Sequence, residues 1–445
     1  MLKYVDLIIS ASYIAPVVPA GLLHDYSVVI HNQTIVDLLP TTQVAGQYQA
    51  AQHTHLPQQI IIPGLINLHT HAAMSLMRGL ADDVALMPWL QTHIWPAEAA
   101  VMSPDFVHDG TLLACAEMLK GGITCFNDMY FYPEAAANAV NQAGMRATLG
   151  LVLLEFATRY ASHAEEYLEK GLFARDILRS QTNISTMFAP HAPYTVSDST
   201  FTKMLTLAAQ LDIGIHTHLH ETQAEIAQSL QQCQLRPLAR LANLDLLGPN
   251  VTFAHGVYLT DLEWQILQSN GCHIAHCPSS NLKLGSGIAP IANLLASGVN
   301  VGLGTDGAAS NNRLDMLSEM RLAALLAKGN SGDATAISAQ QALEMATING
   351  ARALNLSEKI GSIEIGKLAD LTAVDLSQCE TAPLYDAISH LVYAAGREHV
   401  SHVWVNGDLK YQKMAESVGV FSGIEPQELK QIIAKWQPIL AQFKK

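Results

Sequence analysis

The chain has 445 residues and a formal net charge of −14, with 49% hydrophobic and 14% charged residues. This is the composition of a large folded globule, and the length predicts one large domain with a smaller one. The acidic balance disfavours binding to a phosphate backbone, and no apolar run approaches the roughly 20 residues of a membrane span.

The N-terminal segment MLKYVDLIIS has no basic stretch followed by a long apolar run, so no signal peptide is expected. The six cysteines form no CxxC pair, which argues against a zinc knuckle or a redox motif. Both observations are typical of a cytoplasmic protein whose thiols stay reduced.

Short β-rich segments occur at both ends of the chain, at residues 5–9, 27–30, 370–374 and 402–407. Neither end has enough apolar material for a sheet of its own, so we expect the two ends to combine in one small β-sandwich. The Asn406-Gly407 pair between apolar strands predicts a hairpin turn. The predicted division is 1–60 for the first part of the sandwich, 61–365 for a central domain, and 366–445 for the second part with a terminal helix.

Between these ends, strand-like and helix-like segments alternate. The strand-like segments lie at residues 60–71, 122–127, 146–154, 184–191, 213–220, 251–255, 272–276 and 299–306. Ser103-Pro104 predicts the start of one helix, and helical patterns occur at 198–211, 223–241 and 315–326. This spacing predicts an α/β fold, a (β/α)8 TIM barrel. A doubly wound open sheet is the alternative, which is weakened because no glycine-rich phosphate motif follows the first strand.

The first of these strands ends in His69-Thr70-His71. Side chains alternate between the two faces of a strand, so His69 and His71 point the same way. Two imidazoles on one face, at the end of a buried strand, form half of a metal site. An isolated pair of this kind also occurs as ordinary hydrogen-bonded histidines, so its interpretation depends on the residues downstream.

Polar residues end the first, fourth, fifth, sixth and eighth predicted strands. The C-terminal ends of the strands in such a barrel converge on one active site. Histidines that only fill a core would have no reason to collect at these ends. We therefore expect one active site that contains His69, His71, His191, His218, Glu221, His255 and Asp306.

Several longer motifs are typical of one enzyme family: PGLINLHTH (63–71), MPWLQTHIWPAE (87–98), HTHLHET (216–222), AHG (254–256), CPSSNLKLGSG (277–287), GLGTDGAASNN (302–312), ATINGARALNL (346–356) and GSIEIGKLADL (361–371). On these motifs the chain resembles the amidohydrolase superfamily, in the cytosine-deaminase-like or chlorohydrolase branch that acts on aminated purines and triazines. It is similar in detail to the 5′-methylthioadenosine/S-adenosylhomocysteine deaminases, because segment 87–98 matches their substrate loop. The resemblance covers essentially the whole chain.

The resemblance implies a role for each residue at the strand ends. One divalent metal per chain, with zinc the expected ion, would be bound by His69, His71, His218 and Asp306. Asp306 would also take a proton from the attacking water, whose pKa a metal lowers from about 15.7 towards about 7. Glu221 would protonate the ring nitrogen and then the leaving ammonia, and His255 would orient the attacking oxygen. No strand-end lysine stands out as a bridging carbamate, so a centre with two metals is not expected.

A loop of about 30 residues (72–103) follows the first strand, and loops of that length are usually functional. It contains Trp89, which would give an adenosine-like ligand an apolar wall, and Glu98. In the resembling deaminases the glutamate at this position binds the 2′- and 3′-hydroxyls of a ribose. Arg159, His191 and Glu221 are the other expected substrate contacts.

Other polar residues near the site are expected to have supporting parts. His216 and His220 alternate with His218 on one strand face, with His220 near the site and His216 deeper in the barrel. Segment 277–281 is expected to form a structural turn after the seventh strand.

Three hypotheses follow. The favoured one is hydrolytic deamination of 5′-methylthioadenosine or S-adenosylhomocysteine to the inosine analogue and ammonia. The second is the same metal site acting on guanine or on a chloro- or amino-triazine. The third is a non-catalytic scaffold protein, which would be expected to lose ligands that this chain retains. We expect a small-molecule substrate, no nucleic-acid or membrane partner, and a chain able to form a homo-oligomer.

Overall fold

The computed structural model describes residues 2–414 and 419–444, which contain two eight-stranded sheets. The N-terminal strands come first in the chain, followed by the strands of a parallel sheet and then by the C-terminal strands. Their bounds are β1 (Lys3–Ile14), β2 (Leu23–His31), β3 (Thr34–Pro40), β4 (Tyr48–Pro63), β5 (Leu65–Thr70), β6 (Ile123–Asp128), β7 (Arg146–Leu153), β8 (Ile184–Pro190), β9 (Ile215–Leu219), β10 (Val251–His255), β11 (His273–His276), β12 (Asn300–Leu303), β13 (Leu371–Asp375), β14 (Val400–Val405), β15 (Asp408–Gln412) and β16 (Val420–Phe421).

The central sheet runs from β5 to β12, and each strand is parallel to its neighbour in chain order. Its two edges meet where the N–H of Asp306 donates to the carbonyl of His69 (2.9 Å). Gly304 permits this approach, because a Cβ atom there would lie 2.8 Å from the backbone nitrogen of His69. The predicted barrel is confirmed.

Helices connect the strands. Their bounds are α1 (Thr41–Gln47), α2 (Leu86–Trp89), α3 (Trp95–Val101), α4 (Pro104–Lys120), α5 (Pro133–Ala143), α6 (Ala164–Leu178), α7 (Asp198–Leu211), α8 (Gln223–Cys233), α9 (Pro237–Asn243), α10 (Asp261–Ser269), α11 (Pro278–Lys283), α12 (Ile291–Ala296), α13 (Ala308–Asn311), α14 (Met316–Ser331), α15 (Ala339–Met345), α16 (Ile348–Ala353), α17 (Ala387–Tyr393) and α18 (Pro426–Leu440). The predicted helix at 198–211 is confirmed. In the described parts of the chain, no helix combines the length and apolarity needed to span a bilayer.

The helix predicted over residues 223–241 is wrong in one respect, because the chain forms two helices there. Helix α8 ends at Cys233, Gln234 adopts a left-handed conformation (φ 58°), and α9 begins at Pro237. Proline has no N–H to donate to the preceding turn and its ring collides with that turn, so a helix can begin at Pro237 but cannot run through it.

The segment 72–103 is a series of short helices rather than a loop. A 3₁₀ helix (Ala72–Met77) is followed by α2, a π-helical turn (Leu90–Ile94) and α3. Apolar side chains at helical spacing turn to one side and are buried: Leu86, Leu90, Ile94, Ala97 and Val101. The predicted loop is therefore wrong, although the helical spacing of these apolar residues is visible in the sequence.

The terminal sheet joins the two ends of the chain, as predicted. Strand β1 pairs in parallel with β4, and β4 pairs antiparallel with β13. The hairpin turn between β14 and β15 lies at Asn406 and Gly407, which both have left-handed φ values of 53° and 78°. Helix α18 packs on barrel helix α4, where the rings of Trp436 and Phe106 lie 5.1 Å apart. The division at residues 60/61 and 365/366 stays a proposal.

A buried ion pair ties the barrel to the terminal sheet. Arg146, the first residue of β7, donates through Nε to Oδ2 of Asp370 (3.1 Å) and through Nη2 to Oδ1 of Asn406 (2.6 Å). Asp370 directly precedes β13, and its Oδ1 also accepts the N–H of Asn406 (2.8 Å). Side-chain exposures of 5% and 1% for Arg146 and Asp370 mean that water cannot replace either partner.

We expect Arg146→Ala to lower the free energy of unfolding by about 3–5 kcal/mol, because it leaves the buried Asp370 carboxylate without its charged partner. Urea unfolding followed by circular dichroism measures this change. Arg179→Ala is the control, since its guanidinium is 68% exposed and lies 3.9 Å from Asp176. Its effect should stay within about 0.5 kcal/mol, and equal effects of the two substitutions would contradict the argument.

Candidate active site

Imidazoles and a carboxylate converge at the C-terminal mouth of the barrel. Nε2 of His69 and Nε2 of His71 lie 3.4 and 3.3 Å from Oδ1 of Asp306. For ligand bonds of roughly 2.0–2.1 Å, neighbouring ligand atoms of a tetrahedral zinc site lie about 3.3–3.4 Å apart. Two overlapping groups have ligand atoms within 4.8 Å of one another: His69 with His71 and Asp306, and His69 with His218 and His255.

The ring orientations leave nitrogen lone pairs directed into the cluster. Nδ1 of His71 donates to the carbonyl of Met129 (2.6 Å), and Nδ1 of His218 donates to the carbonyl of His191 (2.6 Å). Each ring therefore keeps Nε2 free as a metal ligand. The buried Nε2 of His69 has no hydrogen-bond partner within the described ranges. A buried polar atom without a partner is costly, and a bound cation would remove that cost, so this donor set fits a zinc-class ion.

Asp306 is held by hydroxyl groups on its other side. Ser280 Oγ and Ser310 Oγ donate to Oδ2 at 2.6 and 2.8 Å, which turns Oδ1 towards the imidazoles. Burial disfavours the charged carboxylate, but His69 and His71 outweigh it and hold the pKa of Asp306 well below its usual range. Asp306 is therefore ionised, which is the state that a carboxylate ligand of a metal needs.

Glu221 and His255 form a second pair beside this cluster. Oε2 of Glu221 lies 3.8 Å from Nε2 of His255, and Nδ1 of His255 donates to Oδ1 of Asn281 (2.8 Å). Burial raises the pKa of Glu221, which is 5% exposed. A carboxyl whose pKa is moved towards neutrality is suited to give and take protons.

The backbone turns these side chains out of their strands. His255 and Asp306 have left-handed φ values of 74° and 62°, and His220, which follows β9, has 52°. Such a conformation costs a non-glycine residue about 1–3 kcal/mol and persists only where the surroundings enforce it. Strained residues at the ends of the fifth, sixth and eighth strands mark this mouth as the functional face.

A single pocket joins the cluster to an apolar chamber. Its lining includes the polar residues His71, His218, Glu221, His255 and Asp306, together with Trp89, Glu98, Tyr130, His191 and Tyr194. The ring of His191 lies 4.7 Å from that of His218. The space between these residues, counted together with its opening to solvent, is about 800 Å³. The structure thus brings every predicted site residue except His69 and Arg159 to the lining of one pocket, and His69 lies behind that lining with its Nε2 3.4 Å from Oδ1 of Asp306.

The predicted substrate residues have distinct surroundings. Glu98 is buried and accepts a hydrogen bond from the Tyr130 hydroxyl (2.8 Å), and burial raises its pKa to about 7. Trp89 donates through Nε1 to the carbonyl of Ala81 (3.1 Å), which fixes its ring in the pocket wall. Burial lowers the pKa of His191 to about 3, so its ring is neutral near pH 7.

Arg159 lies in a side cavity next to the main pocket. This cavity shares Trp95, Glu98, Phe131, Phe156 and Thr158 with the main pocket and extends to Arg159. The two spaces therefore have a common wall, and Glu98 belongs to it.

Sequence and structure comparisons agree with this geometry. The sequence profile described as "Amidohydrolase family" matches residues 60–410. The chain belongs to the amidohydrolase family. A relative from Saccharophagus degradans named 5-methylthioadenosine/S-adenosylhomocysteine deaminase is 48% identical over 403 residues, which is 90% of each chain.

Two further relatives of this amidohydrolase are informative. A 5′-deoxyadenosine deaminase from Methanosarcina acetivorans is 41% identical over 391 residues, covering 88% of this chain and 89% of the relative. The crystal structure of an adenosine deaminase from Xanthomonas campestris with bound zinc is 44% identical, with a TM-score of 0.95 over 99% of this chain and 100% of that one.

Two expectations about the amidohydrolase site were wrong. Segment 277–281 is not merely a structural turn, because α11 begins at Pro278 and supplies Ser280 to Asp306 and Asn281 to His255. His220 does not share a face with His218, because the strand ends at Leu219 and the left-handed His220 turns away; its Nε2 accepts the N–H of Leu238 (3.2 Å).

The remaining histidine of this strand lies below the cluster, as expected. Nε2 of His216 lies 3.0 Å from Nδ1 of His69, and its own Nδ1 lies 3.0 Å from Nδ2 of Asn127. Sequence reasoning missed Ser280, Asn281, Ser310 and Tyr130. The only signal was that three of these residues lie inside the motifs CPSSNLKLGSG and GLGTDGAASNN.

We expect the purified amidohydrolase to contain about one zinc-class ion per chain, because a single cluster of imidazoles and one carboxylate converges. His69→Ala and His218→Ala should each remove the ion, which elemental analysis measures. His53→Ala is the control, since this histidine bonds Ser10 in the terminal sheet (2.8 Å), and its metal content should match the wild type. Two ions per chain, or metal retained in both cluster variants, would contradict this interpretation.

Proposed function

We propose that this amidohydrolase is a metal-dependent deaminase of adenine nucleosides, with 5′-methylthioadenosine and S-adenosylhomocysteine as its substrates. The products are the corresponding inosine analogue and ammonia. The observation that carries the proposal is one pocket whose lining contains the buried Glu98 as well as Glu221 and imidazoles of the cluster. The names of the relatives support the same substrate class.

One divalent ion, zinc in this proposal, is held by His69, His71, His218 and Asp306. When bound, such an ion supplies Lewis acidity that brings the pKa of water down to about 7. Metal binding requires neutral rings and an ionised Asp306. Burial lowers the pKa of His69 to about 4, whereas Asp306 outweighs the burial of His71 and raises its pKa to about 9, so His71 would give up a proton when the ion binds.

The protein groups then move protons around the purine carbon that carries the amino group. A water oxygen forms a bond to this carbon, and Asp306 accepts a proton from that water. Glu221 donates a proton to the adjacent ring nitrogen, which receives the displaced electron pair. The ionised Glu221 then takes the proton of the new hydroxyl group and passes it to the amino group, the carbon–nitrogen bond breaks with its electron pair on nitrogen, and ammonia leaves as the carbonyl forms. The proton on Asp306 returns to Glu221. His255 orients the attacking oxygen through Nε2, since Asn281 fixes its Nδ1.

The far end of the pocket binds the ribose. An ionised Glu98 accepts hydrogen bonds from the 2′- and 3′-hydroxyls, while the Tyr130 hydroxyl fixes its orientation (2.8 Å). Trp89 packs against the nucleoside, and the neutral His191, whose ring lies 4.7 Å from that of His218, contacts it as well. A bare heterocycle such as guanine or a triazine has no pair of neighbouring hydroxyls for Glu98, so we favour a nucleoside.

The side cavity accommodates the 5′-substituent. Its aromatic residues Trp95, Phe131 and Phe156 suit a thioether, since sulfur contacts aromatic rings favourably. Arg159, which also lines this cavity, suits the carboxylate of a homocysteine moiety.

The net charge of −14 supports the absence of a nucleic-acid partner. A cytoplasmic location and a homo-oligomer stay predictions.

Glu221→Gln should lower kcat by at least about 10²-fold, because the amide keeps the shape of the side chain but cannot transfer the proton. Elemental analysis should find the wild-type metal content, because Glu221 is not one of the four proposed ligands. Release of ammonia from 5′-methylthioadenosine measures the rate. Normal turnover by this variant would show that Glu221 has only a structural part.

Glu98→Ala should lower kcat/KM for 5′-methylthioadenosine by about 10–100-fold, because one or two charge-assisted hydrogen bonds are lost. Any residual activity on free adenine should hardly change, since adenine has no ribose to lose.

The 2′-deoxy analogue of the substrate provides the matched control for Glu98. The wild type should prefer the ribonucleoside to this analogue, and the preference should disappear in Glu98→Ala if the carboxylate binds the hydroxyl. Equal losses on the nucleoside and on adenine would instead show that Glu98 supports the architecture of the pocket.

A further inference from the structure

The turn that carries Glu221 contains a buried carboxylate which the proposed reaction does not use. Glu225 is 5% exposed and lies three residues after Thr222, the N-cap of α8. Thr222 Oγ1 accepts the N–H of Glu225 (3.2 Å), as in a capping box. The pocket lining includes Glu221 and, within the described ranges, not Glu225.

The carboxylate of Glu225 reaches further back than a capping box requires. In that motif the glutamate accepts the N–H of the N-cap residue itself. Here Oε1 accepts the N–H of His220 (3.0 Å) and Oε2 accepts the N–H of Glu221 (2.8 Å). Both oxygens are thus engaged with the two residues that precede the N-cap, and one of them is the proposed proton donor.

The peptide unit between His220 and Glu221 is consequently fixed at both ends. Its N–H is bound by Glu225, and its carbonyl accepts the N–H groups of Val257 (3.0 Å) and Tyr258 (3.1 Å). Those two residues belong to the turn that follows His255. This peptide unit therefore connects the backbone of Glu221 to the backbone of His255, whose side chains lie 3.8 Å apart in the pocket.

We propose that Glu225 is a positioning residue, which holds the left-handed His220 turn and thereby aims the Glu221 carboxyl at the reacting ring. It contacts no reacting atom and acts only through Glu221. The proposal rests on the proposed function, since it requires Glu221 to transfer protons. A misplacement of about 1 Å in a reacting group can cost about 10²-fold in rate, so a support of this kind affects turnover.

This arrangement needs both oxygens of the Glu225 side chain as acceptors. Two backbone N–H groups need two acceptor atoms, and the Glu225 carboxylate provides one for each. A glutamine amide has only one acceptor oxygen, and its NH₂ group is a donor that would face the second backbone N–H without forming a hydrogen bond. Glu225→Gln therefore keeps the size of the side chain and disturbs the peptide unit that carries Glu221.

A double-mutant cycle tests whether Glu225 acts through Glu221. The wild type, Glu225→Gln, Glu221→Gln and the double variant are compared in kcat, KM and metal content with 5′-methylthioadenosine. Glu225→Gln should lower kcat by about 10–100-fold, with KM changed by less than about 3-fold and metal content unchanged. In the Glu221→Gln background the same substitution should cost less than about 3-fold, because the group it aims is already inactive.

Asp386→Ala provides the structural control. Asp386 also accepts two backbone N–H groups at a helix start, from Ile388 (2.9 Å) and Ser389 (3.0 Å), at α17 and away from the pocket lining. This variant should unfold at a lower temperature and keep the wild-type kcat. If Glu225→Gln does not fold, Glu225→Asp replaces it in the cycle, because it keeps the charge and withdraws the oxygens by one carbon.

The outcomes separate the two proposals. Equal losses of kcat from Glu225→Gln in both backgrounds, or no loss in the wild-type background, would overturn the positioning role and leave the proposed function intact. Full activity of Glu221→Gln would overturn the proposed function itself, and the positioning role would fall with it. A loss confined to the background that contains Glu221 supports both.

Discussion

Closure of the barrel between its first and last strands is the constraint on which the site depends. The hydrogen bond from the Asp306 N–H to the His69 carbonyl (2.9 Å) places residues more than 200 positions apart in sequence side by side. The absence of a side chain at Gly304 permits this approach. The carboxylate of the eighth strand thereby reaches the imidazoles of the first at 3.3–3.4 Å. Without this closure there would be separate polar residues and no metal site.

Burial of so many polar groups would be costly if they were not held by fixed partners. The carbonyls of Met129 and His191 orient two rings, and the hydroxyls of Ser280 and Ser310 orient Asp306. Met129, His191 and Ser280 come from connections after neighbouring strands, whereas Ser310 follows Asp306 in the same connection. The site is preorganised for this reason, since its side chains need little rearrangement before reaction.

In the proposed function, the residues that bind the substrate come from a different part of the chain than the residues that transfer protons. The short helices between β5 and α4 are held to the barrel by buried Leu90, Ile94 and Val101. They carry Trp89 and Glu98 over the strand ends, and Tyr130 from the connection after β6 fixes Glu98. Changes in these helices could alter the substrate without altering the proton transfers, which fits a family whose members share a barrel and differ in substrate.

The sequence by itself determined the features that depend on local pattern. Eight strands, the cap at Ser103, the Asn406-Gly407 turn and the polar residues at the strand ends follow from residue types at short spacing. Prediction from the sequence was wrong where one local pattern is compatible with two structures. Pro237 begins a second helix inside the predicted helix 223–241, and the predicted loop 72–103 forms short helices. Both mistakes concern signals that were present in the sequence.

Only the tertiary structure decided which atoms of these residues meet. It showed that Ser280 reaches Asp306, that Asn281 orients His255, and that Arg159 lies in a side cavity. It also showed that Glu225 binds the peptide unit of Glu221 rather than its own N-cap. The physical reason is that a hydrogen bond depends on atoms within about 3 Å of each other, and chain folding, rather than spacing in the sequence, sets such distances between remote residues.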